Sequence, residues 1–166
     1  MTLNYSGNSE LIVFELFSDI CPKTVDNFLG LCTGFKRKTD QEIIGYEGTE
    51  IHRIVPGMYI QGGRIKTGET MNSIFGGEFA DESFHIKHTE VGLLGMCKRS
   101  GLKHTNECQF YITTGSPLTF LDNQNVVFGR VISGMHVIES IQNLELVNEK
   151  SANGAVTVTN CGAFVL

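Results

Sequence analysis

Short apolar runs, rich in β-branched and aromatic residues and parted by turn residues, recur along this chain and limit its fold more than any other feature. They are Leu11–Phe17, Ile51–Val55, Met58–Ile60, Gly92–Cys97, Gln109–Thr113, Val126–Ile132 and Ala155–Asn160. Runs of that length bounded by Gly, Pro and Asn read as strands, and so many in succession predict an all-β barrel or sandwich. Nineteen glycines supply the turns. Ile12, Val13 and Phe14 are apolar on both faces of their strand, so something must cover the outside of the sheet. Two helices can do so. Pro22 opens the first, where its missing N–H costs nothing, and Val25, Phe28, Leu29 and Cys32 form one stripe before Thr33-Gly34 ends it. The second starts after Gly134, with Met135, Val137, Ile138 and Ile141 on its apolar side. A closed barrel with a helix at each end satisfies the pattern and leaves no open sheet edge.

Length and charge narrow the function. At 166 residues, 41% apolar and 19% charged, the sequence reads as one globular domain over residues 1–166, large enough for a core without staples or metals. A net charge of −5 argues against a nucleic-acid partner, and the cluster Lys36, Arg37, Lys38 reads as a solvated loop. No run is long enough to cross a bilayer, and the start lacks the features of a signal peptide, so the expected location is cytoplasmic. Cys21, Cys32, Cys97, Cys108 and Cys161 are odd in number and form no C-x-x-C pair; neither a disulfide framework nor a zinc site is expected, and no cofactor. His85, His88, His104 and His136 read as structural or exposed, and the Asn4-Tyr5-Ser6 sequon as irrelevant inside a cell.

One segment carries chemistry: Ile51-His52-Arg53-Ile54-Val55-Pro56-Gly57-Met58-Tyr59-Ile60-Gln61-Gly62-Gly63. Arg53 and Gln61 stand eight residues apart across a Pro-Gly turn, so a hairpin would bring both to one surface. The segment resembles the signature of the cyclophilins. The resemblance runs on through Phe14–Phe17, Pro22-Lys23-Thr24, Asn27-Phe28, Ser73–Gly76, Phe79–Phe84, His88-Thr89, Thr105–Phe110, Leu121-Asp122, Val126–Gly129 and Cys161-Gly162.

That resemblance implies an eight-stranded antiparallel closed barrel capped by two helices, and a peptidyl-prolyl cis–trans isomerase acting as a monomer on proline-containing peptides and proteins. It implies Arg53 as donor to the prolyl nitrogen, His52 beside it, and Gln61 and Gln109 as groups that orient the peptide. Lys98 and Arg99 fall where substrate backbone is held, and Leu121 in the proline pocket. Several positions depart from the pattern: Met58 and Tyr111 replace pocket phenylalanines, Tyr59 follows Met58 where methionine is frequent, Cys97 replaces a small alanine, Phe120 a tryptophan and Asn125 a histidine. The loop from Cys97 to Thr105 is slightly longer than usual. An active enzyme with weakened affinity for cyclosporin A is expected. The competing reading is a module that holds a proline loop without turnover; a sealed ligand-carrying barrel fits less well, because large interior side chains would fill it.

The segment Thr33–Gly45 resembles the insertion of the divergent-loop cyclophilins, in which cysteines at the places of Cys32 and Cys161 are proposed to form a redox-sensitive disulfide. Asn72 stands where that subgroup has a tethering glutamate. Cys32 also lies on the apolar stripe of its helix, where an inert buried thiol is the simpler expectation.

Overall fold

The computed structural model describes residues 1–65 and 73–164. In chain order the elements are β1 (Thr2–Tyr5), β2 (Asn8–Leu11), β3 (Val13–Leu16), α1 (Pro22–Thr33), β4 (Phe35–Lys36), β5 (Ile43–Ile44), β6 (Ile51–Val55), β7 (Tyr59–Gly62), β8 (Leu93–Met96), β9 (Phe110–Thr113), a 3₁₀ turn (Thr119–Leu121), β10 (Val127–Ser133), α2 (Met135–Gln142), β11 (Leu146–Val147), β12 (Lys150–Ser151) and β13 (Thr157–Asn160). The protein is mainly β with two α-helices, as expected.

The closed eight-stranded barrel is not what the ladders form. A six-stranded sheet runs β3-β10-β8-β9-β7-β6, a three-stranded one β13-β1-β2, and two further pairs are β4-β5 and β11-β12. The strand expected over Leu11–Phe17 is two strands in different sheets. Between them Ile12, fully buried, turns its N–H away to the carbonyl of Met1. At the other edge the two larger sheets meet through a bridge of Glu50 with Thr157 and a bond from the Ile51 N–H to the Val156 carbonyl. The sheets therefore wrap one core without one continuous ladder. β1 and β2 escaped the sequence pattern because only Leu3 and Tyr5 of their residues are buried, while Asn4, Asn8 and Ser9 disfavour strands.

Both helices begin where the sequence places them. On α1 the buried set is Val25, Phe28, Leu31 and Cys32, with Thr24 and Asn27; Leu29, expected on the stripe, is half-buried, and Leu31 takes the deeper place. The two polar residues are satisfied. Glu82 accepts from the N–H groups of Lys23 and Thr24 and from the Thr24 hydroxyl, capping the helix from a distant loop, and Asn27 bonds the Glu107 carbonyl and the Ile74 N–H. Val137, Ile138 and Ile141 of α2 are buried. No helix among the described residues is long and apolar enough to cross a membrane.

One row of the core positions the site. Ile54, Ile60, Ile112 and Leu94 face one another in register across β6, β7, β9 and β8, all fully buried. Burying each contributes about 1.5–3 kcal/mol. Residues alternate between the faces of a strand, so their neighbours Arg53, Gln61, Tyr111 and Gly95, also in register, form a matching row on the opposite face.

Candidate active site

Ile51 and Arg53 owe their opposite aims to an irregularity. In the β6–β7 ladder Ile51 pairs with Gly62 and Arg53 with Gln61, so His52 is an extra residue. Without that bulge Ile51 and Arg53 would share a face. With it Ile51 is buried in the core and Arg53 stands on the outer face. Pro56-Gly57 makes the turn, with Gly57 at φ 74°. The turn is seated against Gly115, where a Cβ would lie 1.7 Å from the Gly57 carbonyl oxygen, and Gln142 of α2 accepts the Gly57 N–H at 3.2 Å.

The guanidinium of Arg53 is held on three sides. Nε donates to Oε2 of Glu149 at 2.6 Å, Nη2 to Oε1 at 3.4 Å, and Nη1 to the hydroxyl of Tyr59 at 3.1 Å. Its carbon lies 5.7 Å from the centre of the Tyr59 ring. The Glu149 carboxylate raises the arginine pKa further, and Arg53 in turn lowers that of Glu149. Beside it Gln61 donates to Gln109 at 3.0 Å, so the two amides form one polar strip. His52 borders that strip. Burial and then the charge of Arg64 lower its pKa, and its Nδ1 is buried without a partner.

Beside Arg53, the half-buried Tyr59 packs on Tyr111, which is only 3% exposed, with ring centres 5.7 Å apart. Tyr111 lies directly over Gly95: a Cβ there would meet its Cζ at 2.2 Å. Its hydroxyl, buried, finds a partner in Nε2 of His88 at 2.7 Å, while Nδ1 of His88 and its backbone N–H both reach Oδ1 of Asp122 at 2.8 Å. Asp122 follows the 3₁₀ turn that carries Phe120 and Leu121, so this chain of bonds ties that turn to the Tyr111 wall.

The remaining expected residues fall as follows. Cys97, just after β8, is half-buried and gives its N–H to the Gln109 carbonyl; burial pushes its thiol pKa up, so it is an uncharged small wall residue. Asn125 spends its amide on the Met96 carbonyl. Leu121 is half-buried, but Phe120 is 57% exposed and Met58 sits half-buried in the turn preceding β7, outside the ladder. Tyr59, not Met58, shares the strand face of Gln61, two residues along. The ammonium of Lys98 is committed to Asp81 at 3.0 Å, a pair 8% and 2% exposed, which leaves only its backbone for a ligand. Asp81 also accepts from the His104 N–H and the Asn106 amide, so it pins both ends of the loop between Cys97 and Asn106. Arg99 pairs with Glu78.

Cys32 in α1 and Cys161 just after β13 are free thiols that perturb each other: interaction with Cys161 raises the Cys32 pKa, and the same interaction lowers that of Cys161. They line an apolar groove of about 660 Å³ bordered by Phe14, Phe28 and Leu29. The insertion folds as the hairpin β4–β5, with Arg37 paired to Asp40 and Glu42, so the basic cluster is partly neutralised. Asn72 lies outside the described residues. Among those residues no group of three or more His, Cys, Asp or Glu could hold a metal.

Two residues were missed in the sequence. Glu149 is 96 positions from Arg53, and only the short Val147-Asn148-Glu149-Lys150 turn signals a hairpin there. His88 was assigned a structural place without its link to Tyr111.

An arginine and two glutamines thus stand beside an aromatic pair on the outer face of the sheet. A family model described as cyclophilin type peptidyl-prolyl cis-trans isomerase/CLD matches residues 1–163, and the chain belongs to that family. It is 48% identical over 157 residues to the NK-tumor recognition proteins of Mus musculus and Homo sapiens, covering 92% of this chain and 11% and 10% of theirs. It is 43% identical over 159 residues to the peptidyl-prolyl cis-trans isomerase cyp11 of Rhizopus delemar, covering 93% of this chain and 46% of that protein. The chain thus spans less than half the length of these relatives.

Proposed function

We propose that this chain catalyses cis–trans isomerisation of X-Pro bonds in peptides and proteins, with Arg53 as the donor that meets the prolyl nitrogen. The observation that carries this reading is the direct pairing of Arg53 with Gln61 on the outer face, beside Tyr59 and Tyr111. Rotation about the prolyl bond must overcome about 18–20 kcal/mol because the C–N bond has partial double-bond character. No bond breaks and no net proton moves. What lowers the barrier is a donor that bonds the nitrogen as it pyramidalises and becomes an acceptor, a bond available only in the transition state. A hydrogen bond to a charged group is worth about 1.5–3 kcal/mol, or one to two factors of ten in rate. Gln61 and Gln109 fix the peptide, and exclusion of water by the tyrosines strengthens each polar contact. Exchange spectroscopy on a short X-Pro peptide tests this: Arg53→Ala should lower the exchange rate by tenfold or more, and equal rates for the two proteins would sink the reading.

Cyclosporin A should bind with weakened affinity, since Phe120 offers no indole N–H and the Asn125 amide is already engaged. Mutual perturbation of the Cys32 and Cys161 thiols supports a second role, a disulfide formed under oxidation, with a peroxide taking the two electrons and releasing water.

A further inference from the structure

The hairpin β11–β12 turns through Asn148 and Glu149, and both are left-handed, at φ 51° and 62°. A two-residue turn of this kind favours glycine, above all at its second central position. Glutamate there carries backbone strain that a glycine would relieve. The hairpin is nonetheless docked on the catalytic strand. Its tip carbonyl, that of Glu149, accepts the Ile54 N–H at 2.7 Å, one residue along from Arg53. From that anchored point the Glu149 side chain reaches back and takes Nε and Nη2 of Arg53.

Stability does not explain the arrangement. The two side chains are 43% and 49% exposed, and pairs so placed stabilise little because solvent screens them. The geometry affects orientation instead. A free arginine samples many rotamers; a guanidinium gripped along one edge by a carboxylate and at Nη1 by the Tyr59 hydroxyl has one. Of its five N–H groups three are engaged, so one on each terminal nitrogen stays available to a substrate.

We infer that Glu149 is a positioning residue: its carboxylate, on a strained hairpin tip fastened to β6, fixes the Arg53 guanidinium in the orientation that serves the prolyl bond. The inference rests on the isomerase reading above. Preorganisation of this kind acts on the transition state, so its loss falls on kcat rather than on KM.

The test uses Glu149→Gly and Glu149→Gln in the intact chain. Glu149→Gly relieves the turn strain, so it should raise Tm while lowering kcat five- to twentyfold with KM within twofold. Glu149→Gln keeps one acceptor and should recover part of the loss. In proton–nitrogen NMR, the Arg53 Nε–H signal, slow to exchange in the wild type, should exchange faster in Glu149→Gly. A stabilised Glu149→Gly variant with unchanged or higher kcat would overturn the inference, as would an Arg53 signal indifferent to the substitution. If the wild type shows no isomerase activity, the functional reading fails, and the NMR comparison still decides whether Glu149 orders Arg53.

Discussion

The hydroxyl of Tyr111 donates to Nε2 of His88 across 2.7 Å. The direction follows from the other nitrogen: Nδ1 faces a carboxylate oxygen of Asp122, which can only accept, so the proton sits on Nδ1 and Nε2 is the acceptor. A tyrosine at this buried position would otherwise carry an unsatisfied hydroxyl, and this bond supplies its partner.

Tyr111→Phe should therefore destabilise the protein although it leaves the apolar surface nearly unchanged. It strands a buried ring nitrogen, at a cost of about 1–3 kcal/mol. A urea titration would read this as a lower midpoint at constant slope; an unchanged midpoint would mean that the bond contributes nothing.

Acid should weaken the fold in two stages. His88 and His52 both have pKa values lowered from 6.5, first by burial. Between the folded value and 6.5 the unfolded chain binds more protons, so stability falls as pH falls below 6.5. Asp81 adds the second stage. Burial would raise its pKa, but the Asn106 amide, the His104 N–H and Lys98 together leave it below 3.8, so its contribution is present above 3.8 and is lost as pH drops through the folded value. Urea midpoints measured between pH 7.5 and pH 3 should decline in both ranges, and His88→Gln should flatten the upper one.

Gly95→Ala should displace the Tyr111 ring, since the added methyl would overlap Cζ at 2.2 Å and the hydroxyl at 2.3 Å. Overpacking of this kind costs about 1–3 kcal/mol. The expected result is a lower Tm and weaker peptide binding by calorimetry, with Tm partly restored in the double variant Gly95→Ala/Tyr111→Leu.

Peroxide treatment should convert the Cys32 and Cys161 thiols to a disulfide, visible as a mass loss of about two hydrogens in the linked peptide pair. On this prediction the Cys161 thiol, its pKa lowered by Cys32, would be the attacking group. Cys32→Ser should abolish the linkage; a linkage that persists there would assign the oxidation to other thiols.

Much of the site was legible because it is local. Pro56-Gly57 between two apolar runs gives the hairpin, and the hairpin gives Arg53 opposite Gln61. What sequence could not supply were relations across the chain. That Ile51 faces the core while Arg53 faces out depends on a bulge at His52 that leaves no mark on the local pattern. Glu149 reaches Arg53 only because β12 docks on β6, and a sequence pattern carries no such proximity. The closed barrel was expected from the strand pattern and from family likeness alike, and it failed where Ile12 breaks one apolar run into strands of separate sheets. Met58 was placed in the pocket by position alone; it lies in the turn, while Tyr59 takes the strand face of Gln61.

The extra residue in β6 also bears on how this surface can change over generations. Replacing one side chain by another leaves the aim of Arg53 intact, because aim is set by how many residues separate it from Gly57. Gaining or losing a single codon between Ile51 and Arg53 would exchange inside for outside at Ile51 and turn an isoleucine out of the core beside the guanidinium. Variation at this face is therefore free in chemistry and closed in length.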